Sequence, residues 1–305
     1  MPKIDVKEYL DVKYEVLNKA IYNLAEKPHL ATILVGSRKD SQVYVRNKEK
    51  SIEKAGMTSE LHVIEDGVSF QEIANRIISL NKREDVHGIL LQLPLNRDFY
   101  SKEEEDTLIA LIDANKDVDG LTLSNQGKLF MGENQDTFLT PCTPTGIVKL
   151  LKHQHISLKA LDITVIGRSQ LLGNSLAQML MRENANVTML HSKSGWIMSD
   201  YLAMNAVDVL CLCAGQSNLI HASYLDGEQS YTIIDAAINV GEDGKLRGDF
   251  CKEDYPILED WALEDGYTVD YTSVPGGVGP ITTFTLAYNL YKAYCLQNNL
   301  QMENI

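Results

Sequence analysis

Cysteine is scarce in this chain: five residues among 305, an odd number, with no C-x-x-C pair. That argues against a disulfide framework and suits a reducing compartment. Positive charge is also short, 28 Lys and Arg against 42 Asp and Glu, for a net charge of -14. Non-specific binding to nucleic acid or to an anionic membrane needs a basic surface, so neither partner is expected, and an anionic ligand must meet a local positive site. No uncharged apolar run approaches the ~18 residues of a membrane span. The opening Met1-Pro2-Lys3-Ile4-Asp5-Val6-Lys7 has no apolar signal-peptide core. A cytoplasmic protein is expected.

With 44% hydrophobic and 23% charged residues, the composition is that of a soluble globular protein and not of a disordered one. The length allows two lobes, since compact domains hold ~100–200 residues. A polar helix is predicted over Val12–Ala25, then a buried strand over Leu30–Val35, broken by Gly36 before a helix that carries Tyr44 and Lys48. Leu61–Ile64 is a second strand. Ser69 and Glu72 have capping-box spacing, and Phe70, Ile73, Ile77 and Ile78 recur with helical period through Leu80. Gly88–Leu95 reads as a strand buried on both faces, with one amide, Gln92, before a proline stop. Glu103-Glu104-Glu105-Asp106 is a solvated helix start.

A second domain opens at Thr143-Pro144, an N-cap followed by proline at the first helical position of Thr145–His153. The pattern then repeats: strand Ile163–Ile166, a glycine loop, helix Asn174–Arg182, and strands Val187–Leu190, Val207–Cys213 and Thr232–Asp235. A hairpin or turn at Gly241–Gly244 and a final amphipathic helix Ile281–Leu296 follow. Strand and helix in alternation predict an α/β fold, and the second half reads as a dinucleotide fold.

Tyr44 and Lys48 stand four apart, so they project from one helical face, an aromatic wall beside an amine. Alone, such a pair is most simply a core aromatic under a lysine stem. Gln92 lies at the carboxyl end of a strand, where ligand sites in open sheets occur; loop backbone could equally satisfy it. In Lys116-Asp117-Val118-Asp119-Gly120 the loop offers too few ligands for a metal, which leaves one Asp to bind an uncharged donor-rich ligand or to cap the turn. His153 and His155 read as surface residues at a helix end and not as a metal pair. Cys211 and Cys213 alternate in an apolar strand as packing residues, and Cys142 also reads as structural. No metal is expected.

Gly167-Arg168-Ser169-Gln170-Leu171-Leu172-Gly173 joins a strand to a helix, where backbone N–H groups and the helix dipole can meet a phosphate. It is not the usual G-x-G-x-x-G. An NAD site also needs an acid about 20 residues on, whereas here the second strand ends in His191-Ser192-Lys193. An acid would repel a ribose phosphate; Arg168, Ser192 and Lys193 can bind one, so the local chemistry favours NADP. Tight packing alone can also place glycine and a basic residue at such a turn. Small residues after two later strands, Cys213–Gln216 and Asp235–Asn239, leave room for a nicotinamide. Ser273-Val274-Pro275-Gly276-Gly277-Val278-Gly279-Pro280 is a loop held in defined backbone angles, against which a ligand can lie.

The stretches VGSRKDSQVYVRNK, GILLQLPL, KDVDGLTLSNQGKL, PCTPTG, GRSQLLG, HSKS and PGGVGPIT stand in this order. Together they make nearly the whole chain after Leu30 resemble the bifunctional methylenetetrahydrofolate dehydrogenase/methenyltetrahydrofolate cyclohydrolase family. The resemblance implies two lobes: residues 1–142 with 281–305 as an α/β folate-binding catalytic lobe, to which the last helix returns, and 143–280 as a Rossmann-type NADP-binding lobe. Folate would lie in the cleft between them, and homodimers would form through the NADP lobes. Motif by motif, Lys48 would be the catalytic lysine, Gln92 its polar partner, Tyr44 the aromatic beside the pterin, and Asp119 the pterin-recognising acid. Pro275, Gly276 and Gly277 would close on folate. Gly167, Arg168, Ser169, Gly173, Ser192 and Ile238 would contact NADP, with Arg168 and Ser192 nearest the ribose phosphate.

The implied activity is oxidation of 5,10-methylenetetrahydrofolate with NADP and hydrolysis of the product to 10-formyltetrahydrofolate, within one-carbon metabolism and purine biosynthesis. Positioning dominates the first half, because no proton need move. The second half needs a base for water and an acid for the departing nitrogen. A free amine has pKa ~10.4, so a lysine serves only where burial and a cationic substrate lower it, and a neutral amide such as Gln92 can orient the neutral form. A monofunctional dehydrogenase and a non-catalytic folate- or nucleotide-binding paralogue are the alternatives. Ser175 and Asn96 stand where the family usually has proline, and Ala237 where it has glycine. Serine at 175 is expected to loosen the helix start.

Overall fold

The structure, a computed structural model, describes residues 3–154, 157–195, 197–241, 243–263, 267–303 and 305, with residues 39 and 40 described in backbone only. His155 lies outside the described residues. The chain divides into two compact units, Asp11–Cys142 with Thr283–Ile305, and Met1–Leu10 with Thr143–Thr282.

Eight elements open the chain: α1 (Val6–Tyr22), β1 (His29–Val35), α2 (Lys39–Lys54), β2 (Thr58–Ile64), α3 (Phe70–Asn81), β3 (Gly88–Leu91), α4 (Lys102–Ala110) and α5 (Leu123–Met131). The three strands form a parallel sheet in the order β2-β1-β3. Every residue of β1 from Leu30 to Val35 is buried, as a central parallel strand covered on both faces requires. Ile33, Ile73, Ile77, Ile89, Leu91 and Leu108 meet in one apolar core. The Ser69 hydroxyl accepts the Glu72 N–H at 3.3 Å. A reciprocal Ser101–Glu104 box starts α4, but the acidic run is not all solvated: Glu105 is buried, accepts the Leu95 N–H at 2.9 Å and pairs with Arg97 and Lys102 at 2.8 and 3.1 Å. The chain winds from β1 outward to β2 and then back to β3, so the sheet reverses beside β1. A crevice is therefore expected at the carboxyl ends of β1 and β3.

The remaining elements are α6 (Cys142–His153), β4 (Asp162–Ile166), α7 (Ser175–Arg182), β5 (Asn186–Leu190), α8 (Met198–Met204), β6 (Val209–Leu212), β7 (Tyr231–Asp235), the short hairpin β8 (Asn239–Val240) and β9 (Leu246–Arg247), α9 (Tyr255–Trp261), β10 (Val269–Tyr271) and α10 (Val278–Gln297). Five of these strands form an all-parallel, Rossmann-type sheet in the order β10-β7-β6-β4-β5. Its winding reverses between β4 and β6, the place where such sheets receive a nucleotide. Strand β10 escapes sequence reading because three residues carry no periodicity. The amino-terminal residues, expected with the first lobe, belong with this sheet: the Ile4 N–H donates to the Tyr271 carbonyl at 2.9 Å.

Helix α10 corrects another expectation. It starts at Val278, with Pro280 tolerated in its first turn, and it is not an amphipathic surface helix. From Phe284 to Cys295 every residue is buried, so its apolar residues run all round. Among the described residues no helix is long and apolar enough to cross a membrane.

Burial of α10 also takes in Lys292, 3% exposed, whose ammonium donates to the Gln135 carbonyl. Desolvation lowers its pKa from 10.5 to about 8. Between those values the unfolded chain binds more protons than the folded one, so this group adds stability as pH rises and removes it as pH falls through about 8. Tyr288 and Tyr291, pushed up to about 12 by burial, act in the opposite sense from pH 10 upward, where they ionise in the unfolded chain and stay protonated in the fold, so the Lys292 effect is read between about 8 and roughly 9. Lys292→Met is expected to raise the melting temperature at pH 7 and to abolish this rise in stability on the alkaline side; thermal melts of both proteins across the range check it.

Candidate active site

Gly36 ends β1 with φ +87°, and its N–H donates to the Ile64 carbonyl at 2.8 Å. A Cβ there would meet the Asp66 carboxylate at 2.5 Å, so only glycine allows the turn into α2. Within α2, Val45 and Ile52 are buried. Tyr44, 39% exposed, and Lys48 lie on another face. Lys48 Nζ stands 3.4 Å from Asp119 Oδ2, with the two side chains 13% and 21% exposed.

Asp119 is presented by a loop that its neighbours hold rigidly. Asp117, 2% exposed, accepts the N–H groups of Leu121 and Thr122 at 3.0 and 2.8 Å and the Asn125 amide at 2.9 Å. Burial raises its pKa in spite of those bonds. The two carboxylates of the loop thus divide their work: Asp117 caps the turn, and Asp119 faces the amine. Asn289 of α10 donates to the carbonyls of Val118 and Thr140, both at 2.8 Å. Gly120, at φ +68°, sits so close to Thr140 that a Cβ would meet its carbonyl carbon at 2.4 Å. The Cys142 thiol donates to the Val118 carbonyl at 3.2 Å, and burial raises its pKa well above the ordinary value, consistent with a structural thiol.

Gln92 follows β3, and its N–H continues the ladder to the Ile33 carbonyl at 2.9 Å. It is not hydrogen-bonded to Lys48. Its amide donates to the Leu93 carbonyl at 2.7 Å, while its Oε1, buried, has no partner among the described residues. The charged Asp119 competes better for an ammonium than a neutral amide does. An open acceptor therefore lies at the carboxyl end of β3.

In the second unit the glycine loop is built by backbone contact. Gly167, at φ +118°, leaves no room for a side chain, since a Cβ would stand 2.3 Å from the Cys213 carbonyl oxygen after β6. A Cβ on Gly173 would stand 2.0 Å from the Gly167 oxygen. Residues Gln170–Asn174 form one π-helical turn. Ser175, buried, donates to the Gln170 carbonyl at 2.9 Å, so it ties the helix start down and does not loosen it. Strands β4 and β5 are in register at Ile166 and Leu190. Arg168 and Ser192 each lie two residues beyond that pair, and both are exposed, as are Ser169 and Lys193. Acids are absent from Gly167–Gly173 and from His191–Lys193. Ile238, 37% exposed, follows β7, with the buried Ala237 before it. Pro275 and Gly276 are exposed and Gly277 is buried, where a Cβ would meet the Ser273 carbonyl at 2.6 Å. These residues belong to the second unit, Lys48, Tyr44, Gln92 and Asp119 to the first.

Two family patterns match the chain: tetrahydrofolate dehydrogenase/cyclohydrolase, catalytic domain, over residues 4–119, and the NAD(P)-binding domain of the same family over residues 141–298. The chain belongs to the tetrahydrofolate dehydrogenase/cyclohydrolase family. It is 39% identical over 266 residues to the bifunctional protein FolD of Lysinibacillus sphaericus, covering 87% of this chain and 86% of that one. A crystal structure of the bifunctional FolD dehydrogenase/cyclohydrolase from Campylobacter jejuni is similar at TM-score 0.85 and 32% identity, covering 98% and 99% of the two chains. The Trypanosoma brucei FolD, solved with NADP cofactor and an inhibitor, matches at TM-score 0.82 and 26% identity over 98% of each chain.

The loop after β4 suits the dinucleotide of this family. Its two glycines form a cradle that any Cβ would fill, and no carboxylate of the loop or of the β5 end opposes a phosphate. Missing from the sequence reading is Asp249, whose carboxylate supports the loop after β6; only a lone acid in Gly248-Asp249-Phe250 hinted at it. Gly173→Ala is expected to weaken NADP binding at least tenfold by displacing Gly167, an effect of ~1.4 kcal/mol or more. Gly127→Ala, in open space on α5, should leave binding alone and add ~0.5–1 kcal/mol of stability. Fluorescence titration with NADP and urea unfolding of both variants check this.

Proposed function

We propose that Lys48 is the proton-transfer residue of hydrolysis and that Asp119 holds the pterin ring beside it. The observation that carries this reading is the Lys48–Asp119 pair at 3.4 Å, on the unit that matches the family's catalytic domain. The chain is a bifunctional enzyme, an oxidoreductase and a hydrolase of one-carbon folate metabolism. It oxidises 5,10-methylenetetrahydrofolate with NADP to 5,10-methenyltetrahydrofolate and hydrolyses that to 10-formyltetrahydrofolate.

NADP, when bound, supplies the acceptor for two electrons and a proton's worth of hydrogen from the folate carbon. Gly167, Ser169 and Gly173 are proposed to offer backbone N–H groups and close approach to its phosphates, Arg168 and Ser192 to bind the ribose phosphate, and Ile238 to line the nicotinamide. Tyr44 gives the pterin a flat apolar wall, and Asp119 accepts from its donor edge. The Pro275-Gly276-Gly277 loop keeps a folate-facing role on the family resemblance.

Oxidation leaves a carbon cation shared by two nitrogens. Water adds to that carbon, Lys48 takes a proton from the water, and a proton returns to the nitrogen whose bond to the carbon breaks. An amine acts as a base in its neutral form: Asp119 alone favours the ammonium, so the neutral form is favoured once the pterin donors engage Asp119 and the substrate cation lies beside the amine. The free Gln92 oxygen is available to orient that amine or the attacking water.

We also place the enzyme in the cytoplasm, a reading supported by five free, buried cysteines. Copies are proposed to pair through the second unit, where β5 is the open edge of the sheet. Sedimentation at twice the chain mass is expected; a single-chain mass contradicts the pairing.

Lys48→Met should abolish hydrolysis while part of the dehydrogenase activity survives, so that the methenyl chromophore builds up and persists. The measurement is the absorbance of added methenyltetrahydrofolate over time. Hydrolysis at the unaltered rate in this variant would remove Lys48 from the mechanism.

A further inference from the structure

The carboxylate of Asp249 is wholly buried, and no salt bridge to it occurs among the described residues. Backbone donors surround it instead. Its Oδ2 accepts the N–H groups of Ala214 at 2.7 Å and Gly215 at 3.1 Å, and its Oδ1 accepts the Gln216 N–H at 2.7 Å and the Asn239 amide at 3.2 Å. The donors come from two loops, one after β6 and one after β7. Asp235, 1% exposed at the end of β7, fixes the carboxylate in turn: it accepts the N–H groups of Ala237 and Asp249, both at 3.2 Å, and of Phe250 at 2.9 Å. Gly248 must be glycine here, since a Cβ would stand 2.0 Å from Asp235 Oδ2.

A planar trans peptide sends its carbonyl opposite to its N–H. Three consecutive N–H groups turned toward Asp249 therefore turn the carbonyls of Cys213, Ala214 and Gly215 away from it. The Cys213 carbonyl is the group that Gly167 packs against. Asn239 is the neighbour of Ile238. One buried carboxylate thus sets the loop on which the phosphate-side glycine rests and the segment that carries the nicotinamide-side residue.

We propose that Asp249 is a positioning residue for the dehydrogenase half of the reaction, holding the loops after β6 and β7 in the arrangement that receives NADP. This rests on the assignment of that crevice to NADP. An asparagine cannot replace it, because it offers one acceptor oxygen and turns an N–H₂ donor toward the donors of the loop. Asn239 is the anchor at the other loop and can be removed without uncovering the buried acid.

The test uses the full-length enzyme with Asp249→Asn and Asn239→Ala, read by NADP titration of intrinsic fluorescence and by steady-state kinetics of both activities. Asp249→Asn is expected to raise both the dissociation constant and the KM for NADP roughly tenfold, and Asn239→Ala about threefold, with dehydrogenase kcat and cyclohydrolase kcat/KM within about twofold of the unaltered enzyme. Parallel loss of both activities in a folded Asp249→Asn protein, or unchanged NADP affinity, overturns the proposal. Should that variant not fold, unchanged NADP affinity in Asn239→Ala overturns it. An unaltered enzyme that binds NADP but does not oxidise methylenetetrahydrofolate would refute the functional reading alone, and the binding titrations would still decide the role of Asp249.

Discussion

An amine and a carboxylate 3.4 Å apart are the constraint around which the first unit is built. Lys48 comes from a helix and Asp119 from a loop seventy-one residues later, so neither local propensity nor sequence proximity brings them together. Burial of β1 and β3 positions the helix and the loop at the same end of one sheet. Asp117 then accepts the Leu121 and Thr122 N–H groups and the Asn125 amide, and Asn289 donates to the Val118 carbonyl. The acid left over is the one that meets the lysine. Removing Asp117 would leave buried N–H groups unpaired and removing Asn289 buried carbonyls, at roughly 1–3 kcal/mol each.

The second unit solves a different problem by different means. A dinucleotide needs backbone at close range, and here the closeness is between glycines: Gly173 against Gly167, and Gly167 against the carbonyl of Cys213. Because such contacts are backbone on backbone, they cannot adjust by rotating a side chain. Behind the Cys213 carbonyl the next N–H, that of Ala214, donates to the buried Asp249, whose own N–H donates to the buried Asp235. In both units the residues proposed for the site lie where the winding of a parallel sheet reverses.

Much of this was legible from residue order. The continuous apolar run of β1 marks a strand covered on both faces, and the glycine loop between strand and helix with a basic, acid-free neighbourhood points to a phosphorylated ribose. Other features were hidden for physical reasons. Lys116–Gly120 contains two acids that look alike in sequence; only the fold shows that one is consumed by backbone and the other is not. Gln92 was expected as the polar partner of Lys48; here its amide donates to the Leu93 carbonyl and its oxygen has no partner among the described residues, while Lys48 meets Asp119. Helix α10 looks amphipathic because it carries Asn289 and Lys292, but both polar groups are buried and bonded to backbone. Asp249 acts on peptide N–H groups, which every sequence contains and none advertises.

The central claim is that Lys48 moves protons in hydrolysis while Asp119 holds the pterin for both reactions. Asp119→Asn, read as kcat/KM for the dehydrogenase and for the cyclohydrolase on the same preparation, tests it most directly. A residue that holds the substrate of both steps is predicted to lose both activities by a similar factor. A loss confined to hydrolysis would contradict the account and make Asp119 a partner of Lys48 alone.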